Sequence, residues 1–181
     1  MKRWKFIAPL VLALALPALA ADVFDFIPVG GRTILARVQS AKAPAQEAQG
    51  LTGAKRSSTE WKQYIEQHRK SHPGLQKLTD KEAATLADYL AYNAPLASGK
   101  ALPPDGRDFA LNYCQGCHII TVVVTQDRPR EQWLGTMNKP SHVQIKLSKE
   151  QREALAAYLV VNAAIPIDLV PEDLRAGGAS Y

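Results

Sequence analysis

The chain has 181 residues, with 22 Lys+Arg against 17 Asp+Glu and a formal net charge of +5. The basic residues are spread rather than clustered, which argues against a nucleic-acid ligand and leaves surface complementarity to a protein partner as the use of charge. Only two cysteines are present, too few for a disulfide-built scaffold, and the length allows one generous domain or two small ones.

Lys2, Arg3 and Lys5 precede an apolar stretch from Phe6 to Leu19 that ends in Ala18-Leu19-Ala20. A positive start, an apolar middle shorter than the roughly twenty residues of a spanning helix, and a small-x-small cleavage site predict a secretory signal peptide over 1–20. Its removal takes three of the 22 basic residues, so 19 basic against 17 acidic residues leave a net charge near +2. The expected location is the periplasm, with no stable membrane span after cleavage. Residues 21–50 read as an N-terminal arm and linker. Apolar residues around Gly30-Gly31 suggest a short hairpin or an extended arm, and an Ala/Gln/Pro run from Ala41 to Gly50 suggests a connector.

Helices are predicted at 57–70, 79–93, 106–117, 129–138 and 148–162, with Pro- and Gly-rich loops at 96–105 and 163–181. Two of these helices form an internal repeat. Leu78-Thr79-Asp80-Lys81-Glu82, followed by Leu86, Tyr89, Leu90 and Asn93, is echoed by Leu147-Ser148-Lys149-Glu150-Gln151, followed by Leu155, Tyr158, Leu159 and Asn162. Both copies open on a Thr/Ser capping box and stop at Pro95 or Pro166. Trp61 is echoed by Trp133, and at that offset Met137 falls opposite Ile65 and the cysteines opposite Lys42 and Ala45. The first copy, residues 51–98, therefore lacks both thiols and the sulfur. Two unrelated amphipathic helices with the same caps would also look alike.

Cys114-Gln115-Gly116-Cys117-His118 carries the chemistry. Two thiols one helical turn apart can form thioethers with the vinyl groups of a haem, and the next residue offers an imidazole to its iron. Three other readings stand beside this one. A redox dithiol would follow a strand, whereas helices flank the motif here. Half a zinc site would need His142 and either His68 or His72 to converge. The third is chance.

From residue 104 to about 165 the chain resembles the monohaem class I c-type cytochromes. Gly106 stands eight positions before Cys114, where that family lets its first helix cross closely over its last, and Leu155, Tyr158 and Leu159 form the matching face. Phe109 is one position earlier than the family's usual aromatic. The stretch Arg128 to Met137 is similar to the Arg…Trp-x-x-x-Met helix of cytochrome subunits that serve periplasmic dehydrogenases, such as sulfite dehydrogenase and quinohaemoprotein amine dehydrogenase.

The resemblance implies an all-α fold: a cytochrome c-like helical haem domain over 99–166, a degenerate haemless cytochrome-like module before it, and a C-terminal tail over 167–181. It implies one covalently bound heme c on Cys114 and Cys117, with iron ligated by His118 and Met137. Met137 as a core residue is the alternative, and His142 is the next candidate ligand. Cross-domain ligation by His68 or His72 is a further reading. Trp133 and Tyr113 are candidates to line the pocket, and Arg128 and Arg130 to pair with haem propionates.

A six-coordinate iron has no room for substrate, so the expected role is electron transfer rather than catalysis. A periplasmic dehydrogenase would be the donor and a downstream cytochrome or oxidase the acceptor, in a possible hetero-oligomer. An open iron site in a haem enzyme or gas sensor is one alternative, and a structural haem subunit of a respiratory complex is another.

Overall fold

The computed structural model describes residues 22–41, 45–142 and 144–175. The predicted signal peptide lies outside these residues. The described chain is helical, with no strand. The longer helices are α1 (Gly31–Ser40), α2 (Ala45–Thr52), α3 (Ser58–His68), α5 (Asp80–Asn93), α8 (Arg130–Met137) and α9 (Lys149–Asn162). Three single turns join them: α4 (Pro73–Gln76), α6 (Gly106–Phe109) and α7 (Thr121–Val124). Among the described residues, no helix is long and apolar enough to cross a membrane.

Helix starts follow the caps. Thr79 N donates to Glu82 Oε2 at 2.9 Å while Glu82 N donates back to Thr79 Oγ1 at 3.2 Å, and Ser148 with Gln151 repeats the pattern at 2.8 and 3.2 Å. Ser57 and Glu60 do the same for α3. Each box satisfies two of the donors that a helix leaves unpaired at its start.

One expectation is corrected here. Residues 31–40 form neither a hairpin nor an extended arm but helix α1, and Ile34, Leu35 and Val38 are fully buried on one face of it. The i, i+1, i+4 spacing of these three is helical, yet the paired glycines before them mimic a turn signal. The expected linker likewise contains α2, which buries Leu51.

The core divides into two hydrophobic clusters. The first joins Ile34, Leu35 and Val38 to Leu51, Trp61, Ile65, Leu75, Leu78, Leu86 and Leu90. The second joins Phe109, Ile120, Val124, Trp133, Met137, Leu147, Leu155 and Leu159 to Ile27 and Val170. Residues before α1 thus pack on the second cluster while α1 itself packs on the first. The 3-10 turns Ile167–Leu169 and Glu172–Leu174 also close on the second cluster, where Thr121 Oγ1 donates to the Leu174 carbonyl at 2.7 Å.

The two clusters share a crossing geometry that fixes how the repeat is aligned. A Cβ on Gly31 would lie 2.2 Å from Tyr89 Cβ and 3.1 Å from the Thr85 carbonyl oxygen; a Cβ on Gly106 would lie 2.1 Å from Tyr158 Cβ and 3.1 Å from the Ala154 carbonyl oxygen. In each case a glycine lets two helix backbones touch. Anchored on these glycines, Cys114 falls opposite Gln39 and Cys117 opposite Lys42, not opposite Lys42 and Ala45. The connection between the first helix and the tryptophan helix differs in length between the copies, so a single offset misregisters one of them. The tryptophan offset does hold inside α3 and α8, where Trp61 with Ile65 and Trp133 with Met137 are the buried pairs.

Contacts across the boundary are reciprocal. Tyr89 Oη donates to the Pro103 carbonyl at 3.0 Å, and Tyr158 Oη donates to the Pro28 carbonyl. Each proline lies three residues before the glycine of the opposite crossing. Asn162 Nδ2 donates to Thr85 Oγ1 at 2.9 Å between α9 and α5. Asp105 caps two helices at once: Oδ1 accepts from Asp108 N at 3.1 Å in α6, and Oδ2 accepts from Arg32 N at 2.8 Å in α1. Gly30, at the N-cap of α1, leaves the space that this carboxylate fills, since a Cβ there would lie 2.1 Å from it.

Candidate functional site

The site grows out of the α6 crossing. Asp105 starts the helix and Gly106 seats it against Tyr158, and the helix then widens to i→i+5 bonding over Ala110–Cys114. Such a π turn commonly marks a functional stretch, because it rotates the side chains that follow. Cys114 ends it half-buried. The chain closes one more turn, with Cys117 N and His118 N both donating to the Cys114 carbonyl at 3.3 and 3.1 Å. That turn brings Cys114, Cys117 and His118 to one wall of a cleft. Both cysteines are free thiols.

The cleft contains roughly 930 Å³ of space not filled by protein atoms, part of it open to solvent. Val122 and Val123 of α7, Trp133 and Met137 of α8, Ile145 and Leu147 of the loop, and Leu155 and Leu159 of α9 supply its apolar lining. Tyr113, Gln126, Arg128, Thr136, His142 and Arg152 bring the polar groups to its edge.

The sequence-predicted residues divide clearly. Cys114, Cys117, His118, Met137, His142, Trp133, Tyr113 and Arg128 all line the cleft. Arg130 does not, being ion-paired with Glu153 on the surface of α9. His68 and His72 also lie elsewhere. The His68 ring stacks on Tyr64 at 4.0 Å, and buried His72 accepts from Gly74 N at 3.1 Å to cap α4. Neither approaches His142, so the convergence needed for half a zinc site is not formed. Among the described residues no group of three His, Cys, Asp or Glu is placed to hold a bare metal ion.

Burial pushes the Cys114 thiol up to about 11, with the neighbouring Cys117 adding to the shift. A dithiol that exchanges disulfides needs the opposite, a thiol lowered toward neutrality. Trp133 is buried with its Nε1–H unpartnered, and the Arg128 guanidinium sits 5.3 Å from the centre of its ring. Trp61, the counterpart of Trp133, is unpartnered too, so the feature belongs to the helix position as well as to the cleft. Arg128 Nη1 donates to Thr136 Oγ1 at 3.0 Å, and the residue lines the cleft. Among the described residues no hydrogen bond orients the His118 ring. The exposed ring instead faces His142, 6.0 Å away between centres.

Arg152 is the residue that sequence reasoning missed. From α9 it donates to the carbonyls of Met137, Ile145 at 2.8 Å and Leu147 at 3.3 Å, and reaches that of His142 at 3.5 Å. One guanidinium thereby fixes the whole segment that carries both candidate distal donors. A signal existed in the repeat: the position equivalent to Arg152 in the first copy is Ala83, a change from cation to methyl inside otherwise matching helices. Searches of protein-family models, of curated proteins and of solved structures find no match to this chain.

Proposed function

We propose that this chain is a periplasmic c-type cytochrome that relays single electrons through one covalently bound haem, in the service of a partner dehydrogenase. The observation that carries the reading is that both thiols and the imidazole of Cys114-x-x-Cys117-His118 face one apolar cleft, together with the thioether of Met137. The residues present fit the group. Two free thiols stand one turn apart for the vinyl carbons, the lining is predominantly aliphatic and aromatic, and the cationic Arg128 edges the space where propionates would need a partner. The all-α fold is taken as a cytochrome c-like domain preceded by a haemless copy, on the strength of the repeated glycine–tyrosine crossing.

The bound haem supplies a reversible one-electron Fe(III)/Fe(II) couple. Cys114 and Cys117 would anchor the haem, His118 would coordinate its iron, and Met137 from α8 would supply the further ligand. Leu155, Leu159, Val123 and Trp133 keep water from the buried side, which reduces the solvent reorganisation that electron transfer would otherwise require. Arg152 holds the loop of the distal donors in place. The chemistry of the donor's substrate is assigned to the partner.

The test is co-expression of the full chain with a periplasmic haem-attachment system. One haem per chain, resistant to denaturing extraction and lost in Cys114→Ala/Cys117→Ala, is expected, along with reversible one-electron cycling and no carbon monoxide binding in the reduced state. Rapid carbon monoxide binding would replace the electron carrier with an open-site haem protein.

A further inference from the structure

The cleft holds a second imidazole that a His118/Met137 iron leaves without a role. The ring centres of His118 and His142 are 6.0 Å apart and their planes are within 28°. An imidazole nitrogen binds a first-row metal at roughly 2 Å, and each ring centre lies about 1 Å behind its nitrogen, so two rings on either side of one ion are separated by about 6 Å. The observed separation is wide enough for one ion to stand between the two rings. Rings packed directly on one another sit closer, as His68 on Tyr64 does at 4.0 Å.

Two further observations point the same way. His142 Nδ1 lies 3.1 Å from Ser141 Oγ, the kind of outer hydrogen bond that fixes a ligating imidazole and leaves Nε2 as the donor. Arg152 binds the carbonyls of both Met137 and His142, so the thioether and the imidazole ride on one tethered segment.

We propose that Met137 and His142 are alternative sixth ligands of the same iron, His142 taking Fe(III) and Met137 taking Fe(II). The proposal rests on the reading of Cys114–His118 as the haem site. Fe(III) is the harder ion and favours the imidazole nitrogen, while Fe(II) is softer and favours sulfur. On reduction, one electron passes from the donor protein to the iron, the bond to His142 Nε2 breaks, and the bond to Met137 Sδ forms. The imidazole leaves neutral and no proton is transferred. Electron arrival is thereby coupled to which of the two side chains, Met137 or His142, is bound.

The experiment uses the full haem-loaded chain. Oxidised wild type is expected to lack the far-red sulfur-to-iron absorption band and to give the electron paramagnetic resonance of a bis-imidazole iron. The reduced protein should show a methionine methyl shifted strongly by the haem ring current. His142→Ala should gain the far-red band when oxidised and titrate at a higher potential; Met137→Ala should keep the wild-type oxidised spectrum and titrate lower. A full-strength far-red band in oxidised wild type that His142→Ala leaves unchanged overturns the exchange, as do bis-imidazole spectra in both redox states. A chain that carries no covalent haem overturns instead the reading on which the exchange rests.

Discussion

Replacing Gly106 with Ala tests the crossing that seats the motif. The new Cβ would stand 2.1 Å from Tyr158 Cβ, 2.7 Å from its Cγ and 3.1 Å from the Ala154 carbonyl oxygen. Those atoms belong to the backbone of α9 or are fixed to it, so no flexible side-chain end can swing away. Reaching ordinary carbon–carbon contact at about 3.5–4.0 Å requires the two helices to part by roughly 1.5 Å. Forced overpacking costs about 1–3 kcal/mol, and this case belongs at the upper end because the gap opens along a helix pair. The gain in helix propensity of Ala over Gly, about 1 kcal/mol, offsets part of it.

A net loss of about 2 kcal/mol is expected, equivalent for a chain of this size to a melting temperature lower by about 4–8 °C. The control is Gly135→Ala in α8, where nothing lies within 4 Å of the added methyl. That variant gains up to about 1 kcal/mol from the same propensity difference, so the two substitutions should have opposite signs. Urea denaturation followed by circular dichroism measures both. If Gly106→Ala unfolds at the wild-type midpoint or beyond it, the close approach of α6 to Tyr158 is refuted.

Asp105→Ala removes the cap of two helices together, and at about 1 kcal/mol per cap should lower stability by about 2 kcal/mol in the same urea assay; a loss under 0.5 kcal/mol, on the order of one weak cap, would contradict the shared carboxylate. Burial raises the pKa of both Tyr89 and Tyr158. Their unfolded counterparts ionise near pH 10, so their contribution is intact below that pH and is lost as pH rises above it. Thermal melts of wild type should therefore fall across that range, and a Tyr89→Phe/Tyr158→Phe double variant should fall less steeply. Arg152→Ala frees the carbonyls of the 137–147 segment. The haem-loaded variant should keep its thioether bonds yet bind carbon monoxide when reduced, whereas a tightly six-coordinate spectrum would show that Arg152 does not position the distal donors.

Much of the helical architecture was readable from local chemistry. A capping box is written in four residues, and an amphipathic face repeats every three or four, so α3, α5, α8 and α9 fall within two residues of their expected bounds. The same locality fails at α1, where Gly30-Gly31 reads as a turn. There the absent side chains serve two contacts distant in sequence, Tyr89 and Asp105. The candidate Arg130 lies outside the cleft for a related reason, since the packing of α8 on α9 sets its guanidinium against Glu153.

The sequence by itself determined the donors on offer: two thiols and an imidazole within five residues, one methionine further along the chain, and a histidine five residues after that. Their chemistry is intrinsic to the side chains and needs no fold to be named. Tertiary structure decided which of them share a space. Helix α9 alone supplies Leu155, Leu159 and Arg152 to the cleft, and the last of these ties down the segment that carries Met137 and His142. It also placed His142 opposite His118 and kept His68 and His72 in another cluster. Such groupings depend on helix crossings between residues far apart in the chain, and those crossings are set by where a glycine lets two backbones meet.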